Sequence, residues 1–190
     1  MIQNPWKMRR EAIGWMVFVG IIFMCSCNNS DKQIVDNNSL TVNKVMQQPD
    51  GSISLHVKKA ECYSDKVNPS TNTAEWNVFV SKSGRFNVWL SSATVDTINL
   101  EYKNTVMLSV QDSRLEAQPG IDKVVRNSSD VNYPYFRADS FMGSLYIQDT
   151  GLYAVQIISD KILPEENVNE RGPASQKTKL LSVFLTPVVR

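Results

Sequence analysis

Between Glu75 and Ser92 the chain reads EWNVFVSKSGRFNVWLSS, two short runs in which apolar and polar residues alternate. Trp76, Val78 and Val80 share one phase of the first run, and Phe86, Val88 and Leu90 share one phase of the second. A period of two is the period of a strand buried on one side, whereas a helix would repeat its apolar face every three or four residues. Aromatic and β-branched residues favour the same state. The Gly-containing stretch SKSG between the runs predicts that they form a β-hairpin.

The pattern recurs along the chain. SISLHVKKA sets Ile53, Leu55 and Val57 against Ser54, His56 and Lys58, a half-buried strand. The loop YSDKVNPSTNTA follows, with Asn68-Pro69 as its turn signal. TINLEYK and TVMLSVQD read as strands, and GSLYIQDTGLYAVQIIS repeats the hairpin pattern around Asp149-Thr150-Gly151. KLLSVFLTPVV closes the chain as a strand with Leu181, Val183 and Leu185 in alternation. No segment beyond residue 28 carries an amphipathic helix with caps. Hydrophobic residues make up 42% of the chain, enough for a core. The expected fold class is all-β, a β-sandwich over residues 52–190. Periodicity alone does not separate jelly-roll from immunoglobulin-like forms.

The N-terminus has a different character. Ala12 to Met24 is an apolar run of 13 residues behind the basic cluster KMRR, and it stops at Cys25-Ser26-Cys27. A membrane-spanning helix needs roughly 20 residues. A basic leader, a short apolar stretch and a small-residue cut site describe a secretory signal instead. With three cysteines and one histidine in the chain, a four-ligand zinc site is not expected. A Cys-X-Cys disulfide would close a strained ring. The pattern resembles a bacterial lipoprotein signal of the Bacteroides type, in which a cysteine after a small residue becomes the lipidated first residue. Ser26 before Cys27 matches that pattern, whereas Met24 before Cys25 is bulky, so the resemblance implies lipidation at Cys27 rather than Cys25. Residues 1–26 would then be the signal peptide, and residues 27–51, rich in Asn, Gln, Ser and Asp, a lipidated N-terminus and disordered tether. A diacyl anchor supplies the two chains that stable membrane attachment needs. The remaining cysteine, Cys62, beside the strand at residues 53–57, is expected to be a small buried hydrophobe.

A second resemblance rests on Ala60-Glu61, on Glu75 to Leu90, on GLYAVQI at Gly151 to Ile157 and on LSVFLTP at Leu181 to Pro187. Together these are similar to galactose-binding-like jelly rolls, which occur as carbohydrate-binding modules and accessory domains of bacterial glycosidases. The resemblance implies a jelly roll over residues 52–190 and a carbohydrate ligand. The family's structural calcium usually accompanies an acidic pair near the first alanine. Here Lys59 precedes Ala60, only Glu61 matches, and Ser182 stands where an aspartate is common, so no metal and no cofactor is expected.

The formal net charge of +1 gives no electrostatic case for nucleic acid. No catalytic motif is present. His56, the single histidine, falls on the polar side of its strand. Asp112, Glu116, Asp122, Asp130 and Asp139 read as a solvated loop surface rather than as a carboxylate pair. The most informative stretch is RNSSDVNYPYFRADSF, Arg126 to Phe141. Tyr133, Tyr135 and Phe136 offer aromatic faces to stack on sugar rings, and Asn132, Arg137 and Asp130 offer groups to bond hydroxyls. The same aromatics would also serve to pin a long loop onto the sandwich. Tyr63 and the loop to Asn72 form a weaker candidate. Trp76 is expected in the core. Trp89, out of phase with Val88, is a candidate aromatic platform. Asp96-Thr97-Ile98 resembles a short O-glycosylation signal of Bacteroides-type exported proteins. These features together predict a non-catalytic lipoprotein of the cell envelope, held at the outer membrane and binding carbohydrate. The alternative is a scaffold lipoprotein that binds an envelope protein and no glycan.

Overall fold

The structure, a computed structural model, describes residues 44–162 and 177–188. The expected signal peptide, Cys25, Cys27 and the first part of the expected tether lie outside the described residues. Among the described residues, eleven strands make two sheets packed face to face, a jelly-roll β-sandwich. The first sheet has the order β1 (Lys44–Met46), β4 (Thr73–Val80), β10 (Gly151–Ile158), β6 (Val106–Val110) and β7 (Ser113–Ala117). A short strand, β3 (Glu61–Tyr63), pairs with the start of β4 on the edge that β1 takes further along. The second sheet has the order β2 (Ile53–His56), β11 (Thr178–Pro187), β5 (Gly84–Thr94), β9 (Phe136–Ile147) and β8 (Lys123–Val125). Every pairing is antiparallel except that of β1 with β4.

The alternation read in the sequence decides what lies between the sheets. Trp76, Val78 and Val80 of β4 are fully buried, as are Phe86, Val88 and Leu90 of β5. Ile53, Leu55, Leu108, Ile157, Val183 and Leu185 complete the same core. Both expected hairpins, however, are absent. β4 and β5 lie in different sheets, and so do β9 and β10. Ser81-Lys82-Ser83 and Gln148-Asp149-Thr150 are therefore arches that carry the chain across the sandwich. The reason is general: one buried face per strand is satisfied equally by neighbours in one sheet or by opponents across a core.

Other departures have local causes. Residues 44–51, expected within the tether, carry β1 and a turn in which Ser52 donates to Asp50. Residues 97–103, expected as a strand, form no strand, because the Asp96 carboxylate takes the amides of Ile98 and Asn99, and Asn99 takes that of Glu101. Leu100 and Tyr102 from this segment still fill the core. Leu181 bulges out of register between Leu180 and Ser182, so Leu180 takes the buried position instead. Cys62 is exposed, not buried, since β3 is a three-residue edge strand exposed along its length.

Candidate functional site

The outward phase of the second sheet carries the candidate site. Cross-strand register places Ser54, Phe184, Trp89 and Phe141 in one row running from β2 through β11 and β5 to β9. Trp89 and Phe141 touch, with ring centroids 5.2 Å apart and planes tilted by 51°. Phe141 is 46% exposed, and Trp89 and Phe184 are half-buried. His56, one step along β2, sets its ring edge-on against Phe184 at 6.0 Å. On the other flank of the row Asn87 and Ser144 face each other, the Ser144 hydroxyl donating to Asn87 Oδ1 at 3.0 Å.

Phe141 reaches this surface through a bulge. Val88 opposes Gly143 and Trp89 opposes Phe141, which leaves Met142 as the extra residue, turned into the core. Gly143 has φ of 123°, and a Cβ there would meet Leu115 Cδ1 at 3.0 Å. Glycine alone suits that backbone and that approach. The Asp122 carboxylate accepts the Phe141 amide and holds the strand in place.

A polar network borders the row on the side of the loop between β8 and β9. Asp139 is buried on β9 and accepts from Ser91 Oγ at 2.6 Å and from Arg137 Nε at 3.0 Å. Arg137 also donates to Asp130 at 2.8 Å, tying the loop back to the strand. That bond, first among several causes, holds Asp130 below the ordinary carboxylate range, with Ser128 adding to it. Burial pushes His56 below the ordinary histidine value, Lys58 adds to the effect, and Asp130 opposes it. From sequence, Asp139 is expected on a solvated loop surface. It is instead a buried strand residue, because its outward position lies under this network.

The residues singled out from the sequence are spread around this face. Tyr133 stands at the loop's surface, 94% exposed. Tyr135 is half-buried beside Lys179, whose Nζ lies 5.2 Å from its ring centre. The Asn132 carbonyl accepts the Tyr135 amide, and the Asn132 side chain is exposed. Phe136 begins β9 opposite Thr94 and is half-buried. Arg137 is engaged by two aspartates. Trp89 lies at the centre of the aromatic row. Tyr63, the weaker candidate, is on β3 of the first sheet and apart from this face. Phe184, Phe141, Asn87 and Ser144 escaped the sequence reading. Phe184 and Asn87 are out of phase with the core residues beside them, which is a readable signal. The bulge at Met142 hides the phase of Phe141.

Such a face offers aromatic rings to the apolar faces of sugars, with an amide and hydroxyls alongside for their hydroxyl groups. Among the described residues no group of three or more His, Cys, Asp or Glu is placed to hold a metal ion.

No protein-family model and no curated protein matches the sequence. Among solved structures, the fold is similar to part of the alpha-L-fucosidase from Vibrio sp. strain EJY3, with a TM-score of 0.58 and 21% identity. That similarity covers 75% of this chain and 24% of the fucosidase. The GH26-CBM35 beta-(1,4)-mannanase of Podospora anserina aligns with a TM-score of 0.41 and 11% identity over 74% of this chain and 28% of its own. The mosquito-larvicidal Cry4Aa toxin of Bacillus thuringiensis aligns at 0.43 and 9%, over 78% of this chain and 25% of its own. The chain thus spans about a quarter of the length of each. At these identities the fucosidase likeness shows the fold.

Proposed function

We propose that this protein is a non-catalytic lipoprotein of the cell envelope whose β-sandwich binds carbohydrate on the outer face of its second sheet. The observation that carries the reading is the row Phe184–Trp89–Phe141, aromatic and solvent-facing, with Asn87 and Ser144 beside it. An aromatic patch rimmed by polar groups on a sheet surface is what a binding site requires and what a core does not. A fold shared with part of a fucosidase agrees with a carbohydrate setting. Asn132, Tyr133 and Tyr135 on the β8–β9 loop and Arg137 near the start of β9 border the face and act as its rim, while Phe136, the first residue of β9, lies opposite the buried Thr94. Anchoring through Cys27 would hold the domain at a membrane, outer-membrane attachment being the expected form.

Affinity-gel electrophoresis of the full-length protein in detergent, across a panel of polysaccharides, tests the reading. At least one glycan is expected to retard the wild type, and Trp89→Ala with Phe141→Ala is expected to abolish the retardation while leaving the circular dichroism unchanged. Tyr133→Ala should weaken retardation without removing it. Retardation by no glycan, together with capture of a stable protein partner on the same face, would establish the scaffold alternative. Mass spectrometry of the mature N-terminus tests the anchor separately: a diacylated Cys27 is expected, and an uncleaved leader or a lipidated Cys25 contradicts it.

A further inference from the structure

The outward side chains of the second sheet continue beyond the aromatic row. Along β5 the outward positions that precede Trp89 are Asn87 and Arg85, and their register partners on β9 are Ser144 and Tyr146. On β11, Thr186 opposes Asn87, and the Val188 amide donates to the Arg85 carbonyl at 2.9 Å. Three rows therefore succeed one another along the strands: Phe184–Trp89–Phe141, Thr186–Asn87–Ser144 and Val188–Arg85–Tyr146. Tyr146 is 56% exposed, more than Phe141, and Arg85 beside it is exposed as well. The face is thus aromatic at two places, with a polar row between them.

The spacing sets what fits. Trp89 and Phe141 touch at 5.2 Å with planes tilted by 51°, so together they make one shallow platform for one sugar ring. From the Trp89 row to the Tyr146 row the chain of β5 advances from Trp89 to Arg85, about 13 Å of strand. A single sugar ring does not bridge that distance, and an extended chain does. The middle row supplies the hydrogen bonds that such a chain needs between its two stacking points. Asn87 Oδ1 takes the Ser144 hydroxyl, and Asn87 Nδ2 donates in no hydrogen bond among the described residues, which leaves its hydrogens for a ligand. Beyond the last row a cleft of about 200 Å³, lined by Arg85, Val188, Asp50 and Ser83 among others, leaves room for the chain to continue. We propose that the ligand is an extended, ribbon-like glycan of the kind found in cellulose, mannan or xylan, laid along β5 and β9. One unit stacks on Trp89 and Phe141, a later one stacks on Tyr146, and Asn87 and Ser144 bond the hydroxyls between them. A coiled chain would leave this track after its first contact. The proposal rests on the carbohydrate reading above and narrows it to extended chains bound over several consecutive units.

The test is affinity-gel electrophoresis of the full-length protein in detergent, with hydroxyethylcellulose, galactomannan, xylan or soluble starch in the gel. The matching oligosaccharides, from monosaccharide to hexasaccharide, serve as soluble competitors. At least one of the three extended polymers is expected to retard the wild type more than the coiled starch does. Its monosaccharide should compete poorly, and competition should strengthen several-fold with length until the oligosaccharide covers the track, then level off. Tyr146→Ala should weaken competition by the long oligosaccharides several-fold and leave that by the disaccharide unchanged, with the circular dichroism intact. Tyr146→Phe, which keeps the ring, should behave as the wild type, and Trp89→Ala should weaken competition at every length. Equal competition by monosaccharide and hexasaccharide overturns the track, and so does a Tyr146→Ala protein that responds to long oligosaccharides as the wild type does. Retardation by starch, or by other members of the wider panel, without retardation by the three extended polymers also overturns it. Each of these results leaves the carbohydrate reading standing. If no polysaccharide in the wider panel retards the wild type, the carbohydrate reading fails and the track fails with it.

Discussion

Trp76 and Trp89 show how phase assigns one residue type to two tasks. Trp76 sits in phase with Val78 and Val80 and is wholly buried; Trp89 is out of phase with Val88 and Leu90 and faces outward. Both placements were legible in the alternation. His56 was legible only as outward-facing. That its ring would lean on Phe184 and come under the influence of Asp130 depends on strands and a loop far away in the chain. This environment makes a pH prediction. Burial lowers the pKa of His56 in the folded protein relative to its ordinary value of 6.5. In the window between those values the unfolded chain binds more protons than the folded one, so stability falls as the pH falls. The contribution is complete above the ordinary value and is lost as the pH drops through the folded one. Thermal unfolding of the wild type between pH 7.5 and 5 should show this decline. His56→Gln, which does not titrate, should flatten that part of the profile, and an equal slope in both proteins would refute the assignment.

At the scale of elements, strand faces could be read but strand partners could not. The alternation in β4, β5, β9 and β10 determines which side chains go inward, and it is silent on whether two consecutive strands share a sheet. What decides the β4–β5 arch is a residue outside both strands. Gln47, just after β1, accepts from the Ser81 amide at 2.9 Å and the Lys82 amide at 2.7 Å. Its amide donates to the Gly51 and Lys82 carbonyls at 2.7 and 3.1 Å. One buried side chain thus satisfies the backbone of the arch and of the turn before β2. In sequence it is one glutamine in a polar stretch, and nothing there distinguishes residues 44–51 from a tether. Gln47→Leu keeps the bulk and strands those polar groups. A loss of about 2–3 kcal/mol is expected, in line with leaving buried backbone groups unpaired. Gln47→Glu keeps the acceptor and should lose less. Urea denaturation of the two variants measures this, and a Leu variant as stable as the wild type would show that water replaces the side chain without cost.

For the molecule as a whole, the two phases of the second sheet part company: the inward phase holds the core, and the outward phase carries the aromatic row. The sequence carried this division through its alternation. It did not carry the bulges at Leu181 and Met142, where one extra residue moves every later side chain to the other phase. The first exchanges Leu181 for Leu180 inside; the second delivers Phe141 to the surface. Trp76 joins the two sheets directly, since its indole Nε1 on β4 donates to the His56 carbonyl on β2 at 3.0 Å while its ring fills the space between them. Removing it should therefore act on the whole fold and not on one strand. Trp76→Ala is expected to cost about 3–5 kcal/mol, the range for deleting a large buried aromatic. For a domain whose total stability is of the order of 5–15 kcal/mol, that is a large fraction. Trp76→Phe keeps most of the volume and loses the inter-sheet hydrogen bond, so a smaller loss of about 1–3 kcal/mol is expected. In urea the midpoint should fall in that order with the denaturant slope unchanged, because the surface exposed on unfolding stays nearly the same. A Trp76→Ala protein within about 1 kcal/mol of the wild type would mean that the two sheets are held together elsewhere.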